Sequence, residues 1–273
     1  LIYSLVIGIV YFNVLVILRM ARYGLGYSRI LYSEEFQRHI ATTDFKVALI
    51  YIVAVAFFIN ATIRISRRFG LENLLDIILG TYTKPKVEYR IVMFLRIKSA
   101  HQIVESLGMA QFYNFLNDYY YDISNAILRN RATIYQYFNE EIVLSWDINQ
   151  GLKNSSAVRF YFGVLEALQW RKEYFIDTYG FLPGVCAGLH SGEIVVSEIG
   201  DIKTDIILSG DLINTAARIG TEAINTNSGL LLSSSLHKQL DIPEIYTSAL
   251  HGHVKLRGKS EEMNLVEIKK TNV

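Results

Sequence analysis

The sequence is short of cysteine, proline and charge imbalance, and each shortage excludes something. A single cysteine, Cys186, excludes an internal disulfide framework. Three prolines with 18 glycines in 273 residues exclude a collagen-like or low-complexity chain. With 27 basic against 26 acidic residues the formal net charge is +1. That balance argues against a nucleic-acid binder relying on bulk charge and against an acidic solvating tail. No fixed-period repeat is present, so solenoids and propellers drop out. What the chain has in quantity is apolar residues, 51% of the total. The length accommodates one large domain, or an ordinary domain with an addition.

Two uncharged runs hold much of that apolar content. Leu1 to Leu18 is closed by Arg19, and Val47 to Ile63 is bracketed by Lys46 and Arg64. As helices, at about 1.5 Å per residue, each would reach roughly 26 Å, near the thickness of a bilayer's hydrocarbon core. Neither run shows a polar stripe. The expectation is a membrane region over 1–64 with two transmembrane helices, about 1–18 and 47–63, and Asn60 hydrogen-bonding between helices. A first residue other than Met leads us to expect further residues upstream. Arg64, Arg67 and Arg68 favour a cytoplasmic side after the second run, although the segment between the runs is also basic. Apolar positions 71, 74, 75, 78 and 79 predict a short amphipathic helix within a juxtamembrane segment, 65–86.

From Val87 the pattern changes. The spacing predicts a strand over 91–95, helix over 99–128, and two strands over 132–146 bent at Asn139-Glu140. Helix follows over 155–179, then strands over 184–189 and 193–199 joined at His190-Ser191-Gly192. A strand over 205–208, a helix opening at Asp211 and strands over 230–233 and 254–256 complete the order. Adjacent strand pairs mixed with helices predict an α+β domain with a partly antiparallel sheet. Asp211 reads as the cap of its helix, Cys186 as an inert core residue, and Tyr119, Tyr120 and Tyr121 as packing residues. His190 reads as structural, and the other histidines lack a zinc spacing.

Five segments, RIVMFLRIKSAHQIVESLG from Arg90, IYQYFNEEIVLSW from Ile134, AGLHSGEIVVSEIG from Ala187, SGDLINTAARIG from Ser209 and LRGK from Leu256, together resemble the catalytic domain of class III nucleotide cyclases. They occur in that family's order and spacing, over roughly 87–268. The resemblance implies a ferredoxin-like βαββαβ core over 87–273 and head-to-tail dimers with sites at the interface. It also implies conversion of ATP or GTP to the 3′,5′-cyclic monophosphate and pyrophosphate, with the domain cytoplasmic beneath an inner or plasma membrane. That reaction needs the ribose 3′-hydroxyl in line with the α-phosphorus, divalent ions, and donors for charge on the transferring group.

By the resemblance, Asn214 matches the residue that positions the ribose and Arg218 the one that stabilises the α-phosphate. Lys259 matches the lysine that binds the terminal phosphates. Gln136 and Ile207 stand at the base-selecting positions, without fixing adenine or guanine. Two aspartates hold Mg or Mn in the family. Here Arg96 occupies the first position and Asn139-Glu140 the second, so Glu140 is the remaining candidate ligand, with Glu141 as a further acid. A fixed positive charge about 5 Å from a divalent ion, at an effective dielectric near 20, opposes binding by roughly 6–7 kcal/mol. The expectations are a crippled metal site, an ion pair between Arg96 and Glu140, and a pseudocyclase subunit. Such a subunit would lend Asn214, Arg218 and Lys259 to a homodimer or to a metal-competent partner domain. The alternatives are an active cyclase with shifted ligands, or a nucleotide-sensing or structural membrane module.

Overall fold

The computed structural model describes residues 13–14, 16–24, 26–41, 43–69, 81–200, 205–254 and 262–271. It divides into two compact units, Leu1–Leu79 and Gly80–Val273.

The first unit is helical. After helical residues 16–23 come α1 (Tyr27–Leu31), α2 (Glu34–Ala41) and α3 (Thr43–Phe69). Val16, Ile30 and Phe36 form a small buried cluster, with Met20 and Leu31 packed against it. Among the described residues no helix is long and apolar enough to cross a membrane, so the two transmembrane helices expected at 1–18 and 47–63 are corrected. Most of 1–18 lies outside the described residues. The run 47–63 is part of the longer α3, whose 27 residues also include Asp44, Lys46, Arg64, Arg67 and Arg68. Its length is therefore not a length of apolar surface, and the multi-pass membrane placement falls with it. Asn60 does not bond between helices: its Nδ2 donates to Ala56 O at 2.7 Å in its own helix. The amphipathic helix expected over 71–79 lies outside the described residues.

The second unit begins with β1 (Lys86–Ile97), followed by α4 (Ala100–Leu107) and α5 (Met109–Arg129). The single predicted helix over 99–128 breaks at Gly108, whose φ of 75° lies in the region that favours glycine. Next come β2 (Thr133–Phe138), β3 (Glu141–Asp147), α6 (Ile148–Leu152), α7 (Ser156–Trp170) and α8 (Lys172–Tyr179). The remainder is β4 (Val185–Ile199), β5 (Asp205–Ser209), α9 (Asp211–Asn225), β6 (Leu230–Ser233), α10 (Ser234–His237), β7 (Tyr246–Val254) and β8 (Met263–Lys270).

The strands form one sheet in the order β2-β3-β1-β4-β6-β8-β7, with β5 on β4. The first four are the ferredoxin-like βαββαβ arrangement, with β1 antiparallel to both β3 and β4. Two strand expectations change. The predicted bend at His190-Ser191-Gly192 is absent, because β4 runs straight through it and pairs those residues with Val92, Ile91 and Arg90. Of the strand expected over 254–256, Val254 is the last residue of β7, paired with Met263 of β8, and 255–256 lie outside the described residues.

Side-chain alternation along β1 divides the core. Ile91, Met93, Leu95 and Ile97 face the layer that contains α5, α7 and α8. Val92 and Phe94 face the other way, with Val143, Ile194, Leu208, Leu212 and Ala216. Arg96 follows Phe94 by two residues and so lies on this second face, beneath α9.

Candidate active site

Two glycines bring α9 down onto the sheet. A Cβ placed on Gly188 of β4 would lie 2.0 Å from the backbone N of Gly220, so helix and strand meet backbone to backbone. This close seat allows a β1 side chain to reach the helix. Arg96 Nη1 donates to Thr221 Oγ1 at 2.9 Å, and Thr221 in turn donates to Ala217 O at 3.1 Å.

On its other side Arg96 meets Glu141, with Nε 2.6 Å from Oε2 and both side chains less than one-fifth exposed. Nε makes no well-directed hydrogen bond, so charge holds the pair. Burial pushes the Glu141 carboxyl above the usual carboxylate range, Arg96 pulls it back down, and Glu140 raises it again. The expected pair with Glu140 is thus corrected. Arg96 is registered directly opposite Glu141 on β3. Glu140 stands in the turn, exposed, and offers its carbonyl to Ile97 N at 3.0 Å. Alternation explains the choice: Glu141 and Val143 share the α9 face, while Ile142 and Leu144 point to the opposite core.

Tyr120 fixes the turn from the opposite layer, donating to Asn139 O at 3.1 Å and Glu141 O at 3.2 Å. Asn139 takes the left-handed conformation, φ 51°, which Asn adopts more readily than most residues. The turn therefore places Glu141 as the first ladder residue, with its side chain toward Arg96.

Asn214 and Arg218 lie one turn apart on α9, exposed and half-buried respectively. Neither makes a side-chain hydrogen bond or ion pair among the described residues. Thr221, which holds Arg96, is the next turn of the same helical face. Asp211 does not cap α9. Gly210 is the N-cap, while Asp211 sits in the first turn and accepts from Thr215 Oγ1 at 3.3 Å. Its negative charge there suits the positive end of the helix dipole.

Gln136 on β2 and Ile207 on β5 are both exposed. A hydrogen bond joins their neighbourhoods: Leu208 N donates to Tyr135 Oη at 3.1 Å. Tyr135 lies where the β2/β3 register shifts, so the irregularity lets β2 reach β5. Lys259 lies outside the described residues. Cys186 is fully buried, its thiol pushed up to about 11 by burial, as suits an inert core residue. His190 shares a 2.7 Å contact with Ser233 Oγ between β4 and β6, a structural position.

The residues at the Arg96 end do not fit a two-carboxylate metal cage. The cation already occupying one ligand position uses the neighbouring carboxylate as its partner. Among the described residues no group of three or more His, Cys, Asp or Glu side chains could hold a metal. Sequence reasoning passed over Thr221 and gave Glu141 second place. The signals were available: Thr221 is three residues beyond Arg218 on one helical face, and only an odd-numbered β3 residue shares Val143's face.

No family model matches the chain. Adenylate cyclase 2 of Rhizobium meliloti (strain 1021) is 25% identical over 220 residues, 81% of this chain and 61% of that protein. An adenylate cyclase of Anabaena cylindrica is 24% identical over 188 residues, 65% of this chain and 36% of that protein. The chain therefore spans less than two-thirds of either relative. Among solved structures, a bacterial light-regulated adenylyl cyclase superposes with a TM-score of 0.67 at 17% identity, covering 80% of this chain and 64% of that one. The likeness runs through sequence and fold alike: the chain is similar in sequence to bacterial adenylate cyclases and in fold to a solved adenylyl cyclase.

Proposed function

We propose that the Gly80–Val273 unit is a cyclase-fold subunit that contributes nucleotide-positioning donors to a dimeric site and cannot assemble the metal half of that site from its own residues. One observation carries the reading: the Arg96 guanidinium stands 2.6 Å from Glu141 where a metal-binding carboxylate pair would be needed. To admit a divalent ion at Glu141, the ion pair must be broken and Arg96 moved off Thr221. Coulomb repulsion from a guanidinium left within about 5 Å would still oppose the ion.

The α9 residues support the other half. Arg218 has no ion-pair partner among the described residues, and its planar fork matches the geometry of phosphate oxygens. Asn214, one turn earlier, offers both a donor and an acceptor, which suits a ribose hydroxyl and ring oxygen. In a mixed dimer these groups would position ATP or GTP while the partner domain supplied the metal ligands.

The test is turnover by the purified chain with ATP or GTP and Mn²⁺, alone and mixed with a metal-competent cyclase domain. The reading expects no cyclic nucleotide from the chain alone, and product in the mixture that depends on Arg218. Sustained turnover by the chain alone would overturn it.

A further inference from the structure

A cleft of about 840 Å³ opens on the α5/α7 side of the second unit, the side of the sheet opposite α9. Four basic side chains line it, Arg129, Arg131, Lys153 and Arg159, against two acidic ones, Glu166 and Asp241. Glu166 is already engaged, its Oε1 2.9 Å from Lys270 Nζ. None of the four cations is in an ion pair among the described residues. A chain whose formal charge is only +1 thus gathers unpaired positive charge in one concavity, where low-dielectric walls focus the field.

The walls are fixed by bonds that leave those cations out. Trp146 Nε1 and Ser156 Oγ both donate to Asn130 O, each at 2.9 Å, pinning the corner between α5 and α7. Ser155, the N-cap residue of α7, turns its hydroxyl to Asp241 O and not to its own helix. The uncapped first turn of this 15-residue helix therefore borders the cleft, adding its positive dipole end to the side-chain charge. Tyr246 supplies an aromatic wall, held by stacking on Phe162 with ring centroids 4.3 Å apart.

We propose that this cleft is a second ligand site, separate from Asn214 and Arg218, that binds a phosphate-bearing small anion of nucleotide size. The volume falls within the usual 300–1,000 Å³ range for small-molecule sites. The donors are guanidinium and ammonium groups, the standard partners of phosphate oxygens. The inference stands apart from the reading of the α9 face, since no residue is shared between them.

The experiment is calorimetric titration of the full chain with ATP and with inorganic pyrophosphate, in EDTA so that no metal bridges the phosphates. Wild type and Lys238→Gln, which removes an exposed cation outside the cleft, are expected to bind with the same affinity. The double variant Arg131→Gln/Arg159→Gln should bind about tenfold more weakly or worse, since losing a charged hydrogen bond costs at least that factor. Should the double variant fail to melt cooperatively, the single exposed change Lys153→Gln replaces it, with about threefold weakening expected. Equal affinity for both probes assigns recognition to the phosphates, and tighter ATP adds a contact beyond them. Three results would overturn the proposal: no binding of either probe at millimolar concentration, unchanged affinity in the cleft variants, or an equal loss of binding in Lys238→Gln.

Discussion

Arg96 of β1, bonded to Thr221 of α9, and Arg218, one turn earlier on that helix, have opposite circumstances. Arg96 is closed in on both sides, by Glu141 and by Thr221. Arg218 is half-buried and partnerless among the described residues. A paired cation has its charge already balanced, and an unpaired one keeps its field for a ligand. On the proposed reading, similar charges on one sheet face serve different ends: Arg96 completes the fold, and Arg218 is left to a phosphate.

The largest expected separation between the two is in activity. In a mixture with a metal-competent cyclase domain, Arg218→Ala should lower cyclic nucleotide formation by about 10²–10³-fold, the usual loss for one charge-stabilising donor. Its thermal stability should stay within about 0.5 kcal/mol of wild type, because the side chain packs against no ion or bond. Equal activity of the variant would erase the distinction.

Next in size is Gly188→Ala. The added methyl meets the Gly220 backbone, and the helix carrying both Thr221 and Arg218 must lift. Denaturant unfolding should show about 3 kcal/mol of destabilisation. A neutral result would mean that α9 does not sit where Arg96 can reach it.

Arg96→Ala should cost about 2–3 kcal/mol near neutral pH, between the values for exposed and buried pairs, because Glu141 would keep its burial and lose its counter-ion. The pH dependence has a definite sign. Burial already raises the Glu141 carboxyl, and losing Arg96 raises it further. A carboxyl raised on folding holds its proton longer in the folded state. It therefore contributes stability as pH falls through the raised value and withdraws it above. The penalty should be greatest above neutrality and shrink toward the ordinary carboxylate range. Urea melts of both proteins across that window should show the penalty shrinking with acid, and a penalty that grows with acid would contradict this account.

The smallest effect belongs to Glu140→Gln, expected within about 0.5 kcal/mol since the residue is exposed in the turn. A loss as large as that of Arg96→Ala would return the counter-ion role to Glu140.

The mixed order of strands and helices was legible in the sequence through local periodicity, whereas the βαββαβ core and the choice of Asn214 and Arg218 came from the family resemblance. The structure places that pair one turn apart on α9. The counter-ion was not legible, although the clue lay in the alternation of Ile142, Val143 and Leu144. Adjacent glutamates invite the choice of the one nearest the bend, and a ladder reverses faces with each residue. His190-Ser191-Gly192 misled for another reason. Ser and Gly resemble turn residues, but here they continue the ladder of β4, opposite Ile91 and Arg90 of β1. The apolar run 47–63 was read by composition, which does not say where a helix begins and ends. The α3 helix includes the flanking charges as well.

The most direct measurement is anomalous scattering from crystals of the wild-type chain soaked with Mn²⁺ and a non-hydrolysable ATP or GTP analogue. The account predicts no manganese ligated by Glu141, with the Arg96 guanidinium still against that carboxylate. Manganese bound to Glu141, with Arg96 swung away from Thr221, would contradict it.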